Sequence, residues 1–125
     1  MRPIIRGRKK GMNGLEERYS KWLDSLMWEK RIVSWLFEPM GLKLAEEKCF
    51  YHPHFLVIQL DHFEFHEVKG FSKKTSKPRY EDDSIVKLKV AARQFPWFTF
   101  RMIWYDTALG GWQDKKITSC VNRIR

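Results

Sequence analysis

Glu67 and Lys69 stand on either side of Val68 in the run Phe63-Glu64-Phe65-His66-Glu67-Val68-Lys69-Gly70. Read as a strand, this run places Phe63, Phe65, Glu67 and Lys69 on one face, because side chains alternate with period two. Glu and Lys are rarely buried beside aromatics unless they are paired or used. One chemistry that uses such a pair is metal-dependent phosphodiester hydrolysis: an acid holds the cation, and an ammonium meets the phosphate or a nucleophilic water. A solvated ion pair on an exposed face would employ the same two residues and do no chemistry. The preceding run Tyr51-His52-Pro53-His54-Phe55-Leu56-Val57-Ile58 reads as the partner strand, with His54 at its start.

The elements that must hold these groups follow from periodicity. Asn13 is a suitable N-cap and Glu16 lies at capping-box spacing, followed by Leu15, Tyr19, Trp22, Leu23 and Leu26 at helical intervals. This helix should fade near Lys30 or Arg31. The cap alone would account for Glu16, and Glu17 could replace it at a site if the helix were rotated.

Ile32 to Glu38 reads as a strand ended by Pro39-Met40-Gly41, and Leu42 to Cys49 as a weaker one. His54 to Leu60 and Phe63 to Lys69 form the strongest pair, with a tight two-residue turn expected at Asp61-His62; Asp-His lacks the glycine such a turn favours, which leaves the register open by one residue. Gly70 to Tyr80 reads as a mobile basic loop. Asp82 or Asp83 caps a second helix, with Ile85, Leu88, Ala92 and Phe95 on its apolar stripe, ending before Pro96. Phe98 to Tyr105 is a last strand, and the tail from Asp106 carries no assignable pattern. The predicted fold class is α/β, a mixed central sheet of four to five strands flanked by helices. Residues 1–12 read as a flexible basic arm and 13–125 as one domain.

The chain has 125 residues, with 24 Lys and Arg against 15 Asp and Glu, a net charge of +9. That excess points to a polyanionic partner, nucleic acid before membrane. Arg8, Lys9 and Lys10 in the arm, Lys73, Lys74, Lys77 and Arg79 in the loop, and Lys87 on the second helix are the candidate DNA contacts. Such contacts give affinity with little sequence preference. Two cysteines, Cys49 and Cys120, are too few for a disulfide framework or a zinc cluster. No apolar run is long enough to span a bilayer. Trp22, Trp35 and Trp104 are expected in the core, and His52, His62 and His66 at the surface or in hydrogen bonds.

A helix bearing Glu16, a hairpin bearing Pro53-His54, then Glu67-Val68-Lys69-Gly70, a helix and a strand resemble the PD-(D/E)XK nuclease superfamily. The likeness runs from about Asn13 to Tyr105 and is nearest in plan to small phage-type, junction-resolving endonucleases with a TPDF…HEVKG pattern. It implies a restriction-endonuclease-like fold and Mg²⁺ or Mn²⁺ as cofactor. Glu67, with Glu16 and the carbonyl of Val68, would bind the metal, and Lys69 would orient water and neutralise the phosphate.

The departure from the pattern is His54, where the family has an aspartate. As a ligand, imidazole favours other divalent ions over Mg²⁺, and His52 could add a second nitrogen. Two outcomes follow from the resemblance. One is an endonuclease cutting branched DNA such as Holliday junctions in phage recombination or replication, working as a homodimer in the host cytoplasm, away from membranes. The other is a catalytically impaired nuclease fold that binds DNA.

Overall fold

A computed structural model of the chain describes residues 11–72, 77–78 and 83–118. The element order is α1 (Gly14–Trp28), β1 (Ser34–Phe37), β2 (Leu42–Ala45), β3 (Cys49–Tyr51), β4 (Phe55–Ile58), β5 (Phe63–Val68), β6 (Phe71–Ser72), β7 (Lys77–Pro78), α2 (Asp83–Gln94), β8 (Thr99–Asp106) and β9 (Gly111–Ile117). A five-stranded sheet runs β1-β4-β5-β8-β9, and β2-β3 and β6-β7 form two separate ribbons. Among the described residues only β5 and β8 pair in parallel, Phe65 opposite Phe100 and Val68 opposite Ile103. That parallel pair is joined through α2, as a crossover requires. The chain is thus α/β with a mixed central sheet, compatible with the restriction-endonuclease-like plan.

Alternation along β5 divides the sheet into two faces. Phe65 lies with Leu56, Phe100, Met102 and the α2 residues Ile85, Leu88 and Ala92, all buried in one cluster. Val68 lies with Tyr19, Leu23, Trp35, Phe55, Val57 and Ile103 in the other, under α1. At its C-terminus α1 is closed by the N–H groups of Lys30 and Arg31, which donate to the carbonyls of Met27 and Leu26 at 3.0 and 2.8 Å. Lys30 takes the left-handed conformation of this motif at φ 63°.

Four expectations change. Leu42 to Cys49 is not one strand but the start of a hairpin, since Leu42 pairs with Tyr51 and Ala45 with Cys49. The β4–β5 turn lies one residue earlier than Asp61-His62: Ile58 pairs with Phe63, and the Gln59 N–H donates to the His62 carbonyl at 2.9 Å across Leu60-Asp61. Asp-His lacks the glycine a two-residue turn favours. The unassigned tail contains β9, antiparallel to β8 from Phe100–Ile117 to Asp106–Gly111. Its turn uses Gly110 at φ 71°, a position suited to glycine. Trp22 is 40% exposed instead of core, whereas Trp35 is buried.

Three of the four proposed loop residues, Lys73, Lys74 and Arg79, lie outside the described residues, as do the arm residues Arg8, Lys9 and Lys10. Lys77 falls in β7, which pairs with β6 as a short ribbon within the expected loop. No helix among the described residues is long and apolar enough to cross a membrane.

Polar residues on the α1 face of β5 are linked into one buried network. The Tyr19 hydroxyl donates to His66 Nδ1 at 2.7 Å, and His66 Nε2–H donates to Glu64 Oε1 at 2.8 Å. Arg101 Nε–H donates to the same oxygen at 3.0 Å, and His62 Nε2–H to Glu64 Oε2 at 2.7 Å. Burial raises the Tyr19 pKa above the usual phenol value, so it remains a donor. Glu64 is pulled the opposite way: burial alone would raise its pKa, but hydrogen bonds from His66 and His62 and the nearby charges lower it to about 2.

A carboxyl whose folded pKa is depressed stabilises the fold above its unfolded value, 4.5, and loses that contribution as pH falls towards 2. The parent should therefore lose stability across that window in urea titrations at fixed pH. Glu64→Gln should cost about 1.5–3 kcal/mol at pH 7 and flatten the acid limb. An unchanged acid limb would contradict this account of the network.

Candidate active site

The site begins at the N-terminus of α1. Asn13 Oδ1 accepts the Glu16 N–H at 2.7 Å, and Glu16 Oε1 accepts the Asn13 N–H at 3.0 Å, completing the capping box. That reciprocal cap leaves Glu16 Oε2 to reach beyond the helix, where it lies 3.3 Å from His54 Nε2. Glu16 therefore serves the cap and the site with different oxygens, and the two sequence readings of it are compatible. Glu17 is not part of the cluster.

Glu67 comes from the end of β5, on the face opposite Glu64 and His66, and is 1% exposed. The Tyr51 hydroxyl, from β3, donates to Glu67 Oε1 at 2.7 Å. Burial, and then the adjacent Glu67 charge, push the Tyr51 pKa well up, which keeps that proton on the phenol. Glu67 Oε2 faces His54 Nε2 at 3.5 Å and Lys69 Nζ at 3.9 Å. Lys69 follows the last residue of β5; its N–H donates to the Ile103 carbonyl at 2.8 Å, and its Nζ donates to Ser84 Oγ, in the first turn of α2, at 2.7 Å.

His54 stands between the two carboxylates. Its carbonyl accepts the Glu38 N–H at 2.8 Å, and its Nδ1 accepts the Val68 N–H at 3.0 Å. A ring nitrogen that accepts a hydrogen bond carries no proton, so this contact assigns the proton of the neutral ring to Nε2. Nε2–H then points at Glu16 and Glu67 over distances beyond the optimum for a strong hydrogen bond. In this arrangement His54 turns its Nε2–H towards both acids without a hydrogen bond to either, and it is not a metal ligand, because its accepting nitrogen is already used by Val68. Val68 takes part through its N–H, on His54.

The structure thus brings Glu16, His54, Glu67 and Lys69 to one point at the end of the sheet, with three of the elements involved packed through separate contacts. Lys87 does not join them: its Nζ lies 3.7 Å from Asp83 Oδ2 one helical turn away. His52 is exposed and is not among the groups that face the carboxylates. Tyr51 and Ser84 were not singled out from sequence. Tyr51 could have been, as a polar-tipped aromatic beside Pro53 in an apolar segment; Ser84 gives no such signal.

Two carboxylates, of Glu16 and Glu67, face one position beside the Lys69 ammonium. Glu16 and Glu67 are the carboxylates here that could hold a hard divalent cation. Among the described residues no group of three His, Cys, Asp or Glu side chains forms a metal cage, but Mg²⁺ is commonly held by one or two carboxylates, waters and substrate phosphate. Comparison with family models, with curated proteins and with solved structures finds no match.

Glu16→Gln should separate the cap from the site, because glutamine retains the capping hydrogen bonds while removing one negative charge. Its NH2 would then face the His54 Nε2–H, donor against donor, so its unfolding free energy should fall below that of the parent by about 0.5–1.5 kcal/mol. Stability equal to or above that of the parent would mean that the Glu16 charge burdens the resting cluster and that its contact with the His54 proton adds nothing.

Proposed function

We propose that this protein is a divalent-metal-dependent deoxyribonuclease of PD-(D/E)XK type. The observation that carries the reading is the convergence of Glu16, Glu67 and Lys69 from α1, the end of β5 and the residue just beyond it. Glu16 and Glu67 would hold Mg²⁺ or Mn²⁺, with the Val68 carbonyl as the further ligand the resemblance implies. When bound, the cation polarises the phosphate and lowers the pKa of an attacking water. The ammonium of Lys69, braced by Ser84, meets the phosphate charge, and Tyr51 holds Glu67 in the orientation that faces it. Branched DNA, a homodimeric assembly and a role in phage recombination or replication within the host cytoplasm complete the proposal.

His54 favours a second reading. Its Nε2–H already occupies the approach to both acids, where the family's aspartate would add a third negative group. A nuclease fold that binds DNA without cutting it would be organised in this way.

Both readings are tested on a four-way junction and a linear duplex with Mg²⁺ and Mn²⁺. The first expects Mn²⁺-dependent cleavage, lowered about 100-fold or more by Glu67→Gln and by Lys69→Ala, and Mg²⁺ activity raised by His54→Asp. Binding without cleavage in the parent, with cleavage gained in His54→Asp, supports the second. Cleavage indifferent to both Glu67 and Lys69 overturns both.

A further inference from the structure

α2 and the edge strand β9 enclose a groove of about 420 Å³, away from the carboxylate cluster. Lys89 and Arg93 of α2 and Lys115 and Lys116 of β9 border it, over Val90 and Ile117, and no carboxylate lines it. All four cations are exposed, and none forms an ion pair with another described residue. Three other basic side chains are paired: Arg101 with Glu64 and Asp114, Arg31 with Glu29, and Lys87 with Asp83. Lys89 and Arg93 are one helical turn apart and therefore share a face. Four like charges around one concavity repel each other, and an anion in the groove reverses that cost.

The position of the groove gives its offset from the candidate site. Lys69 Nζ is held by Ser84, so the site adjoins the first turn of α2. At 1.5 Å per residue, Lys89 and Arg93 lie ~7.5 and ~13.5 Å further along the helix. A DNA strand advances about 3.4 Å per nucleotide, so this span matches about two to four nucleotides. Val90 and Ile117 are half-buried floor residues, not protruding apolar side chains of the sort that insert into lipid.

We infer that the α2–β9 groove binds the phosphate backbone of DNA, about two to four nucleotides from the phosphate that meets Lys69. The assignment of the occupant as DNA rests on charge, and the offset rests on the nuclease reading above. The groove places the nucleic acid across α2 and makes β9, an edge strand, part of the binding surface.

The test measures binding of the full chain to a fluorescent duplex across a salt series, without divalent metal. Lys89→Gln/Arg93→Gln, Lys115→Gln/Lys116→Gln and their combination are compared with Lys21→Gln/Lys43→Gln, which removes two exposed charges elsewhere. Each groove pair should weaken binding about tenfold, and the combination should make the salt slope shallower by about 3–4, near 0.9 per lost phosphate contact. The control should change binding less than threefold. A combined variant that matches the control, or a parent that does not bind DNA at low salt, overturns the inference. So does a combined variant that loses phosphatidylserine vesicles while keeping DNA. Loss of binding in the groove variants alongside a parent that cuts nothing would keep the groove and remove the nuclease reading. Cleavage dependent on Glu67 with unchanged binding in the groove variants would do the reverse.

Discussion

Two carboxylates, one nearly inaccessible and one at the mouth of a helix, are held against the same imidazole proton. Like charges at such a position oppose folding unless hydrogen bonds or a counter-charge offset them. Tyr51 hydrogen-bonds one oxygen of Glu67, Asn13 one oxygen of Glu16, and Lys69 contributes the nearby ammonium. The other oxygen of each carboxylate faces His54 Nε2. The surrounding elements hold this convergence in place.

Each element has a separate anchor, which is why the cluster can be held against its own repulsion. α1 is fixed by its cap, by Tyr19 and Leu23 in the core, and by the Tyr19–His66–Glu64 network on the opposite face of β5 from Glu67. α2 is fixed by Ile85, Leu88 and Ala92 against Phe65 and Phe100. β5 serves both sides, with Glu64 and His66 in the network under α1 and Glu67 in the carboxylate cluster. Strand alternation alone separates these roles. α2 in turn links Lys69, through Ser84, with the cationic border it shares with β9.

Much of this organisation was legible in the sequence, for definite reasons. The capping box, the parity of Glu67 and the apolar stripe of α2 are local patterns, and local patterns survive folding. The ribbon β2-β3 was read as one strand because its turn, Glu46 to Lys48, lacks Gly and Pro and uses Lys48 at φ 35°. β9 was unreadable because its half-exposed edge carries Asp114, Lys115 and Lys116 in a row, with no alternation of apolar residues. The role of His54 was beyond sequence reading as well. Whether it ligates or donates depends on which ring nitrogen meets the Val68 N–H, a tertiary contact.

The account rests on Glu16 and Glu67 forming one cation position. Calorimetric titration of Mn²⁺ into the metal-free full chain measures this without any substrate. It should give one saturable site per chain, abolished by Glu67→Gln and weakened about tenfold or more, about 1.4 kcal/mol, by Glu16→Gln. Equal Mn²⁺ affinity in the parent and both variants would contradict it.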